Sequence, residues 1–390
     1  MATPSLKKQK IDNSISPIVF STPCLKPDTR LTVFKQEFHV HSLVLKLHSP
    51  FFRKFLDSPD KAPNNGVAGP PNYSASTNTS ASSNPGAVVA AAAKGTSSTP
   101  ANPSSTDFAS FGTFGVASIG QPFKYDWVTK IDQEGEWHLV CRNPKNEPYE
   151  LSFYLEGETD QEISEFEKLL CAIYGRSYNI VNVDELLNLV EKADYYCVLP
   201  ALSQTLDGAM VRSPEFVGDI RYRSLDLYVA AAKVRNALLF REALIWIVGP
   251  YNDPEFQQLE DRSLRSIAKS VHGELSTRVL SVVQSLLVDL HLDHAENYAD
   301  DLNELVFGIL PRENLDEGKK VLLPWYFRRL VGRLPEEYID DGMLQLLQNE
   351  LKLSRDMYNA GASKNDLEGH FLCATIEDQD LPWDPEEMDY

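Results

Sequence analysis

The sequence predicts an α+β fold in which a cluster of helices is capped by a small mixed sheet and followed by an all-α C-terminal region. Three observations predict it. Residues 28–41 alternate apolar and polar side chains with a period of two, residues 163–202 repeat apolar side chains at helical spacing, and from residue 224 onward helical spacing prevails.

Leu31 and Val33 alternate with Arg30 and Thr32, and Phe38 and Val40 with Glu37 and His39, the pattern of two half-buried strands. Lys35-Gln36 is left as their turn, although neither residue supplies the easy positive φ of Gly or Asn. From Ser42, the side chains of Leu43, Val44, Leu45 and Leu47 crowd one side of a short helix. Ser49-Pro50 then reads as N-cap and first residue of a second helix, Phe51 to Leu56. The run is apolar almost throughout, so both helices are expected in the interior.

The chemistry changes abruptly next. Of the 60 residues from Lys61 to Gly120, 48 are Ala, Gly, Pro, Ser, Thr or Asn and three are charged. Such a stretch buries too little apolar surface to offset its ordering entropy, so residues 60–121 are expected to be a disordered insertion, read as a tolerated surface loop or as a Ser/Thr-rich regulatory segment. Strands are expected at Glu136 to Cys141 and at Tyr149 to Leu155, joined by the polar connector 142–146.

Ile163, Phe166, Leu169, Leu170 and Ile173 then recur at helical spacing, with Gly175 as the stop. Asn182 can cap the following helix, with Glu185 three residues on reaching back in a reciprocal capping box. Val183, Leu186, Leu187, Val190 and Ala193 form its buried face. Further on, Ser224 caps Leu225 to Val234. Asn236 to Val248 is a helix stopped by Gly249-Pro250, and Asp253-Pro254 opens another. Leu275, Val279, Val282, Val283, Leu286 and Leu287 continue the helical architecture.

Residues 28–52, a hairpin delivering a histidine to a Ser-Pro-Phe-Phe helix, resemble the opening of a BTB/POZ domain. Leu170 to Gly175, ending in Tyr178, is similar to that family's Leu-x-x-x-Tyr-x-Gly segment with one residue fewer before the glycine, and Leu186 to Leu202 resembles its closing helix pair. The resemblance covers roughly a third of the chain, at about 100 residues for a domain. The matching positions are Asp28, Phe38, His41, Leu45, Ser49, Phe51, Phe52, Tyr174 and Gly175. It implies a domain over residues 26–210 that carries the insertion, preceded by a disordered tail at 1–25. A helical domain at 218–335 follows, then a helix and an acidic disordered tail at 336–390.

The resemblance implies a non-enzymatic adaptor or scaffold that binds other proteins. A homodimer and a cullin scaffold are the partners it brings to mind, the latter making the chain a substrate adaptor of a ubiquitin ligase. Three departures bear on that choice. Ser42 stands where transcription-factor members place a basic residue. Residues 1–27 hold no amphipathic helix and are broken by Pro17, Pro23 and Pro27, against a swapped dimer. The cullin-binding signature after the Phe51 helix is replaced by Ser58-Pro59-Asp60.

Composition fits a soluble intracellular protein, cytoplasmic or nuclear. No apolar run reaches the ~18 residues of a membrane span, and no cleavable signal opens the chain. A net charge of −19 opposes phosphate binding, so no nucleic acid is expected, and Lys7-Lys8-Gln9-Lys10 is read as a solvated tail. Cys24, Cys141, Cys171, Cys197 and Cys373 are read as reduced core thiols, without ligand spacing for zinc. The stretch from Glu377 to Tyr390 holds seven acidic side chains around Leu381, Trp383, Met388 and Tyr390. It is a solvated tail by default, or a peptide that docks its aromatics in a basic partner groove.

No catalytic, cofactor or metal site is predicted. His291 and His294, with Asp289 and Asp293, lack a third ligand at zinc spacing. Ser118 lacks the glycine two residues before it that a nucleophile elbow needs. His39 and His41 invite a catalytic reading, but the resemblance puts His41 at the strand-to-helix corner in a structural role. The remaining alternative is an enzyme whose site is assembled from residues distant in sequence.

Overall fold

The computed structural model describes residues 15–56, 123–142, 156–292, 321–333 and 339–387. Within them the period-two pattern forms strands β2 (Thr29–Val33) and β3 (Gln36–Val40), antiparallel and in register from Thr29↔Val40 to Val33↔Gln36. Leu31, Val33, Phe38 and Val40 are all fully buried. The turn is Phe34-Lys35, one residue earlier than expected. Phe34 takes φ +51 there, with its ring buried. Thr129 explains how a bulky residue holds that conformation, since its hydroxyl accepts the Phe34 N–H at 2.8 Å and donates to the Thr32 carbonyl at 3.2 Å.

Thr129 lies on a strand the sequence reading missed, β4 (Tyr125–Ile131). It runs parallel to β2 and antiparallel to β5 (Trp137–Cys141). With β1 (Ile18–Val19) parallel to β3, the sheet is mixed, in the order β1-β3-β2-β4-β5. Residues 15–25, expected to be part of a disordered tail, therefore contribute an edge strand, and Phe20 is buried beside it. β4 and β5 form a hairpin through the turn at 132–136. The strand expected at 149–155 and the insertion at 60–121 lie outside the described residues.

Helices α1 (Ser42–His48) and α2 (Pro50–Leu56) follow the hairpin. Then come α3 (Glu156–Ile173), α4 (Val183–Tyr195) and α5 (Leu199–Val211). Next are α6 (Pro214–Asp219), α7 (Ser224–Val234), α8 (Ala237–Val248) and the 31-residue α9 (Arg262–Leu292). The chain continues with α10 (Leu323–Val331) and α11 (Asp341–Leu346). One apolar core runs from the sheet through α8 to Leu381. A smaller one joins Leu275, Val279 and Val282 of α9 to Phe327, Leu330, Met343 and Phe371. No helix among the described residues is long and apolar enough to cross a membrane.

Several local expectations need correction. Asn182 caps α4 through the Glu185 amide, 2.9 Å, but the Glu185 carboxylate takes the Val181 N–H at 2.7 Å, so the reciprocal box is shifted by one residue. Leu187 is only half-buried, and Leu189 takes the core position. Ser224 is the first residue of α7 and caps nothing; its hydroxyl donates to Glu255. Asp253-Pro254 opens only a 3₁₀ turn, Glu255–Gln258. The long helix starts after Asp261, whose carboxylate accepts the Ser263 and Leu264 amides. Along α9, Leu287 is exposed. Of the cysteines, Cys373 is buried, whereas Cys24 and Cys197 are exposed at positive φ and Cys141 and Cys171 are half-buried, so the core-thiol reading holds for one.

The acidic C-terminal stretch is also not a free tail as far as residue 387. Leu351, Tyr358, Leu367, Phe371, Leu372, Ile376 and Leu381 are all buried. Two anchors hold this stretch. Glu242 of α8, 1% exposed, accepts from the Lys352 and Leu353 amides, at 2.8 and 3.3 Å, and from the Ser354 hydroxyl at 2.9 Å. Gly361, at φ +68, lies so close to the start of α10 that an added Cβ would sit 2.1 Å from the Pro324 carbonyl oxygen. Past these anchors His370 pairs with Pro250 in an isolated bridge, and its Nδ1 is buried without a hydrogen-bond partner among the described residues.

Candidate protein-interaction site

The corner between β3 and α1 is built from residues far apart in sequence. His41 is the N-cap of α1 but offers no side-chain cap. Asp28, at the mouth of β2, does so instead. Its two oxygens accept the Ser42 amide and the Ser42 hydroxyl, each at 2.6 Å. Burial works against that charge, but the Ser42 hydroxyl, the Ser42 amide and the Thr29 hydroxyl outweigh it and hold the Asp28 carboxyl below its ordinary range. Ser42 thus has a structural use here, closing the corner with both its amide and its hydroxyl.

His41 ties the corner to the second block. Its Nε2 lies 3.1 Å from the Leu25 carbonyl, which can only accept, so the neutral ring carries its proton there and Nδ1 accepts from the Tyr174 hydroxyl at 3.0 Å. The Tyr174 oxygen in turn accepts the His41 N–H at 2.7 Å. Burial pushes the Tyr174 phenol up to about 12, with the His41 amide and Arg176 pulling the other way, so it stays protonated as this geometry requires. Gly175, at φ +60, then lets α3 end with Arg176 N–H on the Cys171 carbonyl at 2.8 Å.

The other motif positions are equally internal. Phe38 packs on Phe166 with ring centroids 5.6 Å apart, and Leu45 is fully buried. Ser49 caps α2 by accepting the Phe52 amide at 3.0 Å and donates to the Tyr196 carbonyl at 2.6 Å. Phe52 stacks on Tyr196, and half-buried Phe51 stacks on Phe55. Phe38, His41, Ser49, Phe51 and Phe52 knit residues 28–56 to 166–196, with Tyr174 on the other side, while Asp28 and Gly175 shape the corner locally.

The outward-facing residues lie between the motif positions. α1 was expected in the interior, but Leu43 is 57% and Leu47 65% exposed, one helical turn apart. Only Leu45 and Ser42 of this helix are buried, because the helix lies on the fold with one side and leaves the other open. Beside it a cavity of about 350 Å³ is lined by Val44, His48, Thr22 and Tyr174. The alternation within Ser42 to His48 carried this signal. Leu43 and Leu47, four apart, share one helix face, and Leu45, two residues from each, points away from it, so burying Leu45 leaves the pair outward.

A second cleft, about 620 Å³, opens between the β4–β5 turn and α4. Its ionisable floor is satisfied by internal bonds. Lys192 pairs with both Glu162 and fully buried Glu165, and the Trp137 indole donates to Glu162 at 2.7 Å. Asn188 and Gln161 donate to the other Glu165 oxygen. Among the described residues no cluster of His, Cys, Asp or Glu could hold a metal. The His291–His294 cluster, Ser118, Lys7 to Lys10 and Ser58 to Asp60 lie outside the residues whose side chains are described. Compared with known proteins, the chain matches no family model, no curated protein and no solved structure.

Proposed function

We propose that this chain is a non-enzymatic protein-interaction module of BTB/POZ type, acting as an adaptor or scaffold. The observation that carries the reading is the exposed Leu43–Leu47 face of α1, presented beside a corner in which every motif residue is engaged internally. Neighbouring exposed apolar side chains on one helix face are a mark of a docking surface. In the cleft against α4, Lys192, Glu162 and Glu165 are engaged with one another, which makes that trio a structural group.

The occupant of the α1 face is a second copy of the chain. Leucines one turn apart on a short helix are self-complementary across a two-fold axis, where the α1 of each copy covers the seam of the other. Light scattering across a concentration series, with purification from the protein's own cells, tests this. The wild-type chain is expected to be dimeric and to bring partners with it, and Leu43→Asp with Leu47→Asp to be monomeric. A wild-type monomer with no stoichiometric partner would end the reading.

A further inference from the structure

Residues 376–387 lie on the chain like a bound peptide. Among the described residues, the backbone–backbone bonds past Ile376 stay within the segment. The Asp380 amide bonds to the Glu377 carbonyl, the Leu381 amide to the Asp378 carbonyl and the Glu387 amide to the Asp384 carbonyl, and Glu377 with Asp380 closes a capping box. What holds the segment down is side chains. Leu381 is buried, and Trp383 meets Phe240 of α8 edge-on with centroids 5.2 Å apart. Arg241 of α8 donates to the Ile376 carbonyl at 3.0 Å and pairs with Asp378. Arg235, between α7 and α8, pairs with Glu387 at 3.0 Å.

Charge makes this placement specific. Six of the eleven residues from Glu377 to Glu387 are acidic, on a chain of net charge −19, so the segment should be repelled from most of the surface. It rests where two arginines flank an aromatic ring. Arg235 is notable because it occupies φ +51 at the end of α7, a conformation that glycine fills at lower cost. The polar hold is exposed, with Asp378 and Glu387 both open to solvent, and open surface clefts of about 400 Å³, against Arg241 and Ile376, and about 240 Å³, against Arg235 and Trp383, border the segment.

We infer that the groove formed by Arg235, Phe240 and Arg241 is a docking site for an acidic partner segment carrying leucine and an aromatic residue. The chain's own residues 376–387 occupy it as a displaceable strap. Tethering gives the strap an effective concentration in the millimolar range, so a partner must match its chemistry and exceed its local advantage. The inference rests on the groove and its occupant, and stands or falls independently of α1.

The test uses the full chain and a fluorescein-labelled synthetic peptide of residues 375–387, read by fluorescence anisotropy. Releasing the strap with Leu381→Ala and Trp383→Ala is expected to tighten probe binding at least tenfold over wild type. Should circular dichroism show that variant unfolded, Asp378→Lys with Glu387→Lys decides instead. Both carboxylates are exposed, and at the strength of surface ion pairs about a threefold gain is expected. Adding Arg235→Gly and Arg241→Gln to the released chain is expected to weaken binding at least threefold, and the glycine suits the backbone at 235. Equal binding to wild type and released chain, no binding to either, or binding unchanged by loss of both arginines would overturn the inference.

Discussion

Acidification should loosen the C-terminal region through one side chain, His370. Burial, reinforced by Arg221 and opposed by Asp366, lowers its pKa from 6.5 to about 4, and its buried Nδ1 has no acceptor waiting for a proton. The folded state therefore favours the neutral ring, while the unfolded chain takes up a proton near 6.5. The stability this contributes is complete above pH 6.5, falls as the pH drops from 6.5 to about 4, and is level below that. At 1.36 kcal/mol per pKa unit the whole effect is on the order of 3 kcal/mol, of which about 2 kcal/mol is lost by pH 5. Urea unfolding of wild type and His370→Gln at pH 7 and pH 5 isolates it as a double difference, free of every other titrating group. Wild type is expected to lose about 2 kcal/mol more than the variant over that interval. A double difference under about 0.5 kcal/mol would refute the argument, because a protonated His370 would then have found solvent or a partner without disturbing the fold.

Two further outcomes follow from the same region. Glu242→Ala leaves the Lys352 and Leu353 amides and the Ser354 hydroxyl without their acceptor, and should cost about 3–5 kcal/mol in urea unfolding. A cost below 1 kcal/mol would mean that this loop is held elsewhere. Gly361→Ala places a Cβ against the Pro324 carbonyl at a positive φ. It should destabilise by more than about 2 kcal/mol, with faster hydrogen exchange at the Trp325 and Gly361 amides as the local signature.

Where a signal was local, the sequence carried it. The alternation from Leu31 to Val40 placed two strands and their buried faces, and Asn182 and Asn236 cap their helices through amides three residues on. Strand β4 carried its own pattern, Trp127 and Thr129 inward. It escaped because one of those positions is a polar threonine whose hydroxyl serves a turn 95 residues away. The cap and proline at Asp253-Pro254 were real turn signals that the chain spent on a 3₁₀ turn. The resting place of the acidic segment was beyond local reading altogether. Composition marks it as solvated, and the arginines that hold it lie 137 and 152 residues upstream. The outward face of α1 was legible in principle, since burying Leu45 forces Leu43 and Leu47 elsewhere.

The parallel pairing of β2 with β4 sets a timetable for synthesis. β1, β3 and β2 are complete once Val40 has emerged from the ribosome, but the Arg30–Asp126 pair that joins the far side of β2 to β4 closes a gap of 96 residues. At about 5–20 residues per second, the nascent sheet waits roughly 5–20 s with that edge open. An unpaired edge is a template for pairing with a neighbouring chain. The length of the intervening stretch thus acts as a clock, and shortening it would narrow the interval in which polysomal neighbours can pair through β2.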